Sequence, residues 1–391
     1  MADFMKLRYG MNPQQSEASV CMPLGSELPF VVLSGTPGYI NLLDALNGWA
    51  LVKELKACTD LPAAASFKHV SPSGVGVGLP LDDALAKSYF VEGMALSPLA
   101  CAFARARGTD RMSSFGDLIA VSDVVDVETA GLISKEVSDG IIAPGYAPEA
   151  LVILRKKKAG KYVVLQVDPL YEPEESETRQ VFGVQFRQSR HSRTVSVADL
   201  DNIVTERKDL SAQAVLDLKI AWITLKFTQS NSVCFVRGGQ TIGVGAGQQS
   251  RVHCVRLAGT KADLWYLRQH PVVGGLKFAQ GIKRPDRDNA IDQFLQPDVT
   301  EAEKANWKRV FNEMPTPLTA KERSDWLKTL TGVTLGSDAF FPFRDSIDRA
   351  AGSGARTILQ PGGSTRDEDV IAACDEYGMV MLFSGVRLFH H

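Results

Sequence analysis

A lysine and a histidine stand side by side at Lys68 and His69, after an apolar stretch and before the sequence VSPSGVGVG. A lysine ammonium can stabilise a developing oxyanion, and a neutral histidine can accept a proton near pH 7. Neighbouring strand residues point to opposite faces, so both side chains reach one pocket only where the chain turns. Pro72 and Gly74 are residue types that supply such a turn. The pair is therefore either catalytic or a charged strand end before a turn.

A second group of candidate residues runs from Gln229 to Arg251. It contains QSNS, a strand, a Gly-Gly turn and the sequence TIGVGAGQQSR. A glycine-rich loop before a helix exposes backbone N–H groups to a ligand, and Arg251 could bind a carboxylate in a forked geometry. The spacing matches neither the dinucleotide fingerprint nor the P-loop. A hairpin followed by a glycine-tolerant turn explains the same residues without a ligand.

The sequence SDAFFPFRD at 337–345 places three aromatic residues between charges. Aromatic faces can stack on a flat heterocycle. Phe340 and Asp345 are the stronger candidates for a pocket, whereas Phe341 and Phe343 fit a core equally well.

Both ends of the sequence carry an arginine that could bind a phosphate. Arg8 lies in RYGMNPQQ, and Arg387 lies in GVRLFHH. Arginine forms forked contacts with phosphate, although either residue could instead form an ordinary surface ion pair. The apolar residues around Arg387 predict that this segment packs into the core, which would give Arg387 and His391 a defined place.

The composition limits the class of protein. The chain has 391 residues, enough for two domains or for one large two-lobed unit, and its 45% hydrophobic residues are ample for a core. A formal net charge of -2 gives no basic face for nucleic acid. No apolar run approaches the ~20 residues that span a bilayer, and the first residues lack a secretory signal. The six cysteines are scattered, which fits reduced thiols in a cytoplasmic protein and argues against structural zinc.

Two segments share the pattern strand, Pro-Gly turn, helix, glycine, strand. They lie at 140–167 and 356–383. An Asp-x-x-Asp stands upstream of the first at 123–126 and upstream of the second at 345–348, and each half has a glycine-spaced stretch, GVGVG or GVGAG. Together these repeats predict two related α/β lobes in tandem.

The lobes need a connection, and the second half contains further helices. Residues 168–212 are polar, so we expect the connection there. Residues 283–333 read as a helical insertion, because T-x-x-E capping boxes begin at Thr300 and Thr319. The apolar stripe that includes Trp307 is interpreted as packing.

Eight segments occur in an order that resembles one known family: RYGMNPQQ, SFKHVSPSG, RMSSFGDLIAVSD, EVSDGIIAPGY, QSNSV, IGVGAGQQSRVHCVRLAG, SDAFFPFRD and VRLFHH. On these motifs the chain closely resembles the transformylase portion of the bifunctional purine-biosynthesis proteins. These combine formyltransferase activity on 5-aminoimidazole-4-carboxamide ribonucleotide (AICAR) with inosinate (IMP) cyclohydrolase. The resemblance covers the chain from Arg8 to His391.

The resemblance implies an α/β fold of two tandem cytidine-deaminase-like lobes. The first would occupy 1–190 and the second 191–391, with the helical insertion at about 283–333, in agreement with the repeat. The deaminase zinc signature is absent from the sequence, which disfavours zinc-activated water chemistry. A homodimer with active sites at the interface is also implied.

The resemblance assigns roles to individual residues. Lys68 would stabilise the transition state, His69 would accept a proton and Asn231 would help orient the groups. The implied nucleotide contacts are Arg8, Tyr9, His69, Gly116, Asp139, Asn231, Phe340, Arg387 and His391. The implied folate contacts are Arg251, Val252, Asp345, Ser364 and Thr365. A structural potassium ion would lie near Ser230, Ser232, Asp338 and Leu388.

One of these assignments has a structural alternative. Ser364 and Thr365 precede a predicted helix that contains Glu368, so they also fit a capping box.

The implied reaction transfers a formyl group from 10-formyltetrahydrofolate, the co-substrate, to the 5-amino group of AICAR. The products would be the formamido nucleotide (FAICAR) and tetrahydrofolate, and no metal is needed for the chemistry. Another formyl donor, such as formate with ATP, is an alternative that the lack of a P-loop disfavours. A non-catalytic folate or nucleotide sensor is a further alternative, against which Lys68, His69, Asn231 and Arg387 argue.

Bifunctional members of the family carry a cyclohydrolase domain before RYGMNP, whereas seven residues precede Arg8 here. If this sequence is the whole natural chain, ring closure needs a separate IMP cyclohydrolase as a partner. If it is a piece, that domain lies outside it.

Overall fold

Eleven strands form one mixed sheet through the middle of the molecule, and helices cover both faces. The structure is a computed structural model that describes residues 4–22 and 26–391. The strands are β1 (Phe4–Lys6), β2 (Ser19–Cys21), β3 (Phe30–Ser34), β4 (Ala63–Lys68), β5 (Ser71–Val77), β6 (Asp117–Val121), β7 (Ser138–Ala143), β8 (Val163–Val167), β9 (Ser176–Val181), β10 (Val184–Ser189), β11 (Val233–Arg237), β12 (Gln240–Gly245), β13 (Val333–Ser337), β14 (Ala355–Gln360) and β15 (Val380–Phe383).

Thirteen α-helices are assigned within the described ranges. They are α1 (Tyr39–Thr59), α2 (Asp83–Ser88), α3 (Pro98–Thr109), α4 (Val127–Ser134), α5 (Pro148–Lys156), α6 (Ala212–Lys226), α7 (Arg251–Leu267), α8 (Pro271–Gly274), α9 (Arg284–Leu295), α10 (Glu301–Val310), α11 (Ala320–Leu327), α12 (Asp345–Gly352) and α13 (Asp367–Glu376). Among these helices, none combines the length and the apolar character that crossing a bilayer requires.

The strand order is the same in both halves when it is followed outward from the centre. The sheet reads β3-β8-β7-β6-β4-β5-β12-β11-β13-β14-β15. In the first half β4 pairs antiparallel with β5 and β6, and β6, β7 and β8 are parallel. In the second half β11 pairs antiparallel with β12 and β13, and β13, β14 and β15 are parallel. The α/β class predicted from the sequence is confirmed, whereas the cytidine-deaminase-like lobes stay a prediction.

The two halves join edge to edge. Gln240 of β12 lies opposite Gly76 of β5 in antiparallel register. The Val77 amide donates to the Gly239 carbonyl over 2.9 Å, and the Val75 amide donates to Thr241 Oγ1 over 2.8 Å. Backbone pairing therefore makes one continuous sheet of the two halves.

The antiparallel junction places the two halves in opposite senses along the sheet. The end where β6 and β7 begin is consequently the end where β13, β14 and β15 finish. We call this end of the strands the site edge, because it holds His69, Gly116 and Asn231, and we call the other end of the strands the opposite edge. Neither term refers to the outermost strands of the sheet.

The helices form two layers of unequal size. Helices α1 and α6 cover one face, where Trp49 and Trp222 are buried in a shared core. Helices α3, α4, α5, α7, α12 and α13 cover the other face around a second core. A third apolar cluster lies in the helical region from α9 to α11 and contains Trp307, which is 1% exposed. The predicted packing role of Trp307 is thereby confirmed.

Most predicted elements are found, with small shifts at their ends. The predicted units at 140–167 and 356–383 correspond to β7-α5-β8 and β14-α13-β15. The capping boxes at Thr300 and Thr319 are formed, and each threonine hydroxyl accepts the amide of the glutamate three residues later. The predicted polar connection contains an exposed hairpin, β9–β10, that the sequence did not indicate.

Candidate active site

The turn between β4 and β5 consists of His69 and Val70. Both residues lie in the left-handed backbone region, with φ of 56° and 59°. This conformation costs about 1–3 kcal/mol for a residue other than glycine, and a β-branched valine is a clear outlier there. The prediction that Pro72 and Gly74 form the turn is wrong, because both lie inside β5. The tight turn ends β4 at Lys68 and places His69 at the site edge with its side chain exposed.

Glycines in β5 and β12 serve packing rather than ligand approach. A Cβ atom on Gly74 would lie 2.0 Å from the Ala106 carbonyl oxygen in α3. A Cβ atom on Gly243 would lie 2.2 Å from the Ala258 carbonyl oxygen in α7. The hypothesis of a ligand loop at GVGAG is therefore wrong for Gly243 and Gly245, which lie in β12, and only Gly247 follows the strand.

A buried carboxylate lies beneath the His69–Val70 turn. Asp44 of α1 is 5% exposed, and its Oδ1 accepts the Val70 amide over 2.7 Å. Burial raises the pKa of the Asp44 carboxyl to about 6, although this hydrogen bond and the nearby His69 oppose the shift. The sequence did not single out Asp44, because one aspartate in a helical pattern looks like part of a solvated face.

Lys68 and Gly116 lie together at the site edge. The Lys68 ammonium donates to the carbonyl oxygen of Phe115, and a Cβ atom on Gly116 would lie 3.9 Å from Lys68 Nζ. The Gly116 amide donates to the Val137 carbonyl over 3.0 Å, which fixes it beside the start of β7. Since an ammonium has three donors, Lys68 retains hydrogen-bonding capacity for a ligand.

Asp139 lies on β7 near this group. Its carboxylate forms an ion pair with Lys158 over 2.6 Å, and it is close enough to Asp44 to contribute to the raised pKa of that carboxyl. The fold therefore brings the Lys68–His69 pair together with Gly116 and Asp139, which are distant from it in the sequence.

A cleft of about 310 Å³ opens beside the turn. It is lined by Lys68, His69, Ser71, Pro72, Ser73, Ser113, Val244, Ala246, Leu257 and Lys261. Lys261, on α7, adds a second ammonium group, which pairs with Asp110 over 2.9 Å and which the sequence analysis missed. A larger cavity of about 610 Å³ lies beside Arg323 and Arg356, and no predicted site residue lines it. The smaller cleft is the better candidate because it contains the reactive side chains.

Asn231 lies close to this cleft, on the second half of the chain. It directly precedes Ser232 and β11, and the Gln229 amide near it donates to Ser71 Oγ over 3.3 Å. The Asn231 amide group donates to the Gln249 carbonyl over 3.3 Å, and its Oδ1 accepts from Arg251 over 2.9 Å. The side chain of Asn231 is thus fixed by hydrogen bonds to Gln249, before α7, and to Arg251, the first residue of α7.

Arg251 contacts groups inside the chain. Its guanidinium forms an ion pair with Asp338 and donates to the Ser232 carbonyl over 2.9 Å, and its side chain is 7% exposed. The expected contact with a ligand carboxylate stays a prediction, and the carboxylate that Arg251 meets within the chain is Asp338. Its contact with Asn231 makes it a support for that side chain.

The four residues expected around a potassium ion do lie together. Asp338 Oδ2 accepts from Ser230 Oγ over 2.6 Å and from the Ser232 amide over 2.9 Å. The Asp338 carbonyl accepts the Leu388 amide over 2.8 Å. In the described ranges, no group of three or more His, Cys, Asp or Glu side chains is placed to hold a metal ion. The Arg251 guanidinium already balances the Asp338 charge.

The other predicted folate contacts lie at the site edge, where Val252 follows β12 and the remaining three follow β13 and β14. Val252 is half-buried in the first turn of α7. Asp345 begins α12, and its Oδ1 is buried without a hydrogen-bond partner among the described residues. Ser364 and Thr365 precede α13, which begins at Asp367. The capping-box alternative is wrong, because Asp367 itself accepts the amides of Gly363 and Ser364.

The other nucleotide candidates are more exposed. Phe340 is 42% exposed, whereas Phe341 is fully buried, as favoured from the sequence; Phe343 is also exposed. Arg387 stacks on Phe389 at 4.6 Å, and the expected anchoring is present because Leu388 is buried.

His391 and the amino-terminal pair complete the set. The His391 ring packs edge-on against Phe389 at 5.8 Å. Arg8 lies over the Tyr9 ring at 5.8 Å, after β1. Among the described residues, no hydrogen bond or ion pair links Arg8 or Tyr9 to the cleft.

Comparisons with known proteins identify relatives over nearly the whole chain. Residues 1–261 match the family model described as "AICARFT/IMPCHase bienzyme". The chain is 32% identical over 391 residues to the bifunctional purine biosynthesis protein PurH of Xylella fastidiosa (strain 9a5c). It is also 32% identical over 392 residues to the protein of that name from Xanthomonas campestris pv. campestris (strain 8004). Both alignments cover 99% of this chain and 58% of the relative, so the chain spans 58% of these relatives' length.

Proposed function

Since the chain belongs to the AICARFT/IMPCHase bienzyme family, we propose that it is an enzyme of purine biosynthesis that transfers formyl from 10-formyltetrahydrofolate to the 5-amino group of AICAR. One observation carries the proposal. The Gln229 amide, two residues before Asn231, donates to Ser71 Oγ, two residues after His69, beside a cleft that Lys68 and His69 line. This arrangement supports a proton acceptor and a cation that act at one position.

The chemistry requires an enzyme because the amine is a weak nucleophile. Its lone pair delocalises into the imidazole ring and the carboxamide, so holding the amine against the formyl carbon contributes much of the rate. His69 accepts the amine proton as the bond to carbon forms. Lys68 donates to the oxyanion of the tetrahedral intermediate, and Asn231 orients the reacting groups.

The nucleotide side of the site is formed by residues from both halves. We assign Gly116, Asp139, Phe340, Arg387 and His391 to AICAR, together with Arg8 and Tyr9. In a homodimer with active sites at its interface, Arg8 and Tyr9 would complete a site away from their own cleft.

The folate side is assigned to Arg251, Val252, Asp345, Ser364 and Thr365. The buried and unpartnered Oδ1 of Asp345 supports this assignment, since a donor on the pterin would satisfy it. Arg251 also supports Asn231 through the hydrogen bond to its Oδ1. A potassium ion near Ser230, Ser232, Asp338 and Leu388 would be structural.

The repeated strand order supports the further proposal of two cytidine-deaminase-like lobes, at 1–190 and 191–391.

The test is release of tetrahydrofolate by purified protein supplied with AICAR and 10-formyltetrahydrofolate. We expect turnover with these substrates and a His69→Ala variant whose kcat is lower by about 10²–10⁴-fold, the usual contribution of general base catalysis. Circular dichroism checks that the variant is folded. A folded His69→Ala protein with near wild-type kcat would show that the assigned base is wrong.

The same preparation separates the alternatives. Replacing the folate by formate with ATP tests the other formyl donor. Adding FAICAR and measuring IMP tests for the cyclohydrolase activity that the family description includes. AICAR binding without turnover would favour the sensor.

A further inference from the structure

The two hairpins at the centre of the sheet are held in the same way. Asp44 of α1 accepts the Val70 amide over 2.7 Å at the site edge. At the opposite edge, Asp217 of α6 accepts the amides of Gly238 and Gly239 over 2.9 and 2.8 Å. Both aspartates are buried. Each aspartate therefore accepts backbone hydrogen bonds from the turn of the hairpin in its own half of the chain.

The sequence shows that this arrangement is a repeat. Asp44 is followed by Trp49, and Asp217 by Trp222, with a leucine before each aspartate and the same spacing of five. Both tryptophans are buried in the same core beneath the sheet. The Leu-Asp-x-x-x-x-Trp signal was available in the sequence and marks the equivalent positions of α1 and α6.

The aspartate hydrogen bond is more important for the conformation of the first turn than for that of the second. Gly238 and Gly239 have φ of 61° and 89°, a region that glycine adopts without cost. His69 and Val70 occupy the same region at a cost in strain, so a contact must hold them there. The Asp44 hydrogen bond ends on Val70, the residue directly after the proposed base.

We propose that Asp44 is a positioning residue, whose buried carboxylate holds the Val70 amide and thereby keeps the left-handed turn that presents His69 to the cleft. The inference rests on the proposed function and adds a residue to that site. The titratable groups that face Asp44 are His69 on the turn, Asp117 on β6 and Asp139 on β7. Arg107 and Lys158 pair with these two aspartates over 2.8 and 2.6 Å, which leaves His69 as the facing group without an ion pair among the described residues.

The principal test compares Asp44→Ala with Asp217→Ala, which removes the equivalent contact at the edge without proposed chemistry. We expect Asp44→Ala to lower kcat for formyl transfer by about tenfold to a hundredfold, the cost of a misplaced catalytic group. The AICAR dissociation constant, measured by calorimetry, should change less than about threefold, whereas Asp217→Ala should keep kcat within about twofold. A wild-type kcat in folded Asp44→Ala, or equal losses in the two variants, would overturn the proposal.

A rescue variant separates positioning from folding. In the Asp44→Ala/Val70→Gly protein, glycine adopts the left-handed conformation without the carboxylate. We expect this variant to recover at least about threefold of the lost kcat, or to fold if Asp44→Ala alone does not. Failure to recover either folding or kcat would contradict the positioning role.

A spectroscopic measurement does not depend on turnover. In ¹⁵N-valine-labelled protein that carries His69→Gln, which removes the neighbouring imidazole, the Val70 amide resonance should shift with a midpoint near pH 6 as Asp44 ionises, and adding Asp44→Asn should abolish this titration. A Val70 resonance indifferent to pH would show that the contact is absent. A wild-type protein without formyl transfer would instead refute the proposed function, while this titration still reports on the contact.

Discussion

The β4–β5 and β11–β12 hairpins are equivalent in position but differ in what their turns contain. Lys68 precedes the turn in the first, and Arg237 precedes it in the second. The first turn is His-Val and the second is Gly-Gly, although both have left-handed backbones. Strain is thus present where a side chain is proposed to react and absent in the matching turn. The difference indicates that, of the two turns, only the one at the site edge carries a side chain that can take part in chemistry.

The largest expected difference between the hairpins concerns their cations. Lys68→Met should lower kcat for formyl transfer by about 10²–10³-fold, because it removes a donor to the oxyanion. Arg237→Met changes the matching residue at the opposite edge and should leave kcat within about twofold. Steady-state assays of both proteins measure the contrast, and a comparable loss in Arg237→Met would remove the functional distinction between the edges.

The second prediction concerns a property that the two aspartates share, the effect of burial on their pKa. Burial raises the pKa of both Asp44 and Asp217 from 3.8 to about 6. The folded state then binds more protons than the unfolded state between these values. The contribution of each carboxyl to stability is therefore greatest below about pH 4 and is lost as the pH rises through about 6. Each shift corresponds to about 3 kcal/mol at most.

Asp44→Asn and Asp217→Asn should each reduce this loss of unfolding free energy with rising pH. Urea unfolding at a series of pH values between these limits measures the slope. Equal changes in the two variants would establish equivalent burial. An unchanged slope in either one would mean that its carboxyl is not buried as described.

The smallest expected effect isolates the strain of the turns. Val70→Gly should raise the free energy of unfolding by about 1 kcal/mol, since relief of a left-handed valine exceeds the entropy cost of glycine. Gly238→Ala should lower the free energy of unfolding by about 1–2 kcal/mol, because φ is 61°. Since no atom lies within 4 Å of the new Cβ, this loss reports the backbone conformation alone. Denaturant unfolding measures both. The opposite signs would show that the backbone region is not what distinguishes the hairpins.

Local patterns predicted much of the fold. The two T-x-x-E boxes located α10 and α11, because these signals act within a few residues. The repeated strand-helix-strand units were likewise visible in the sequence, since each half buries its own apolar stretches.

The errors arose where distant partners decide the conformation. Pro72 and Gly74 look like turn residues, but Gly74 is required by the close approach of Ala106 in α3. The ion pair of Arg251 with Asp338, which follows β13, was likewise not visible in the sequence. Pattern reasoning could not see either contact. The site residues were predicted through motifs rather than geometry, and the structure shows which of them meet at the site edge.

While the chain is being synthesised, β5 emerges well before its partner β12. Until then it is the exposed edge of a half-built sheet, the kind of strand on which nascent chains aggregate. Pro72 lacks an amide donor, and Gly74 and Gly76 offer no side chains for cross-strand contacts, so β5 is a poor template for a foreign strand. The glycines that let β5 fit against α3 in the finished protein therefore also make β5 a weak partner for a foreign strand before β12 is available.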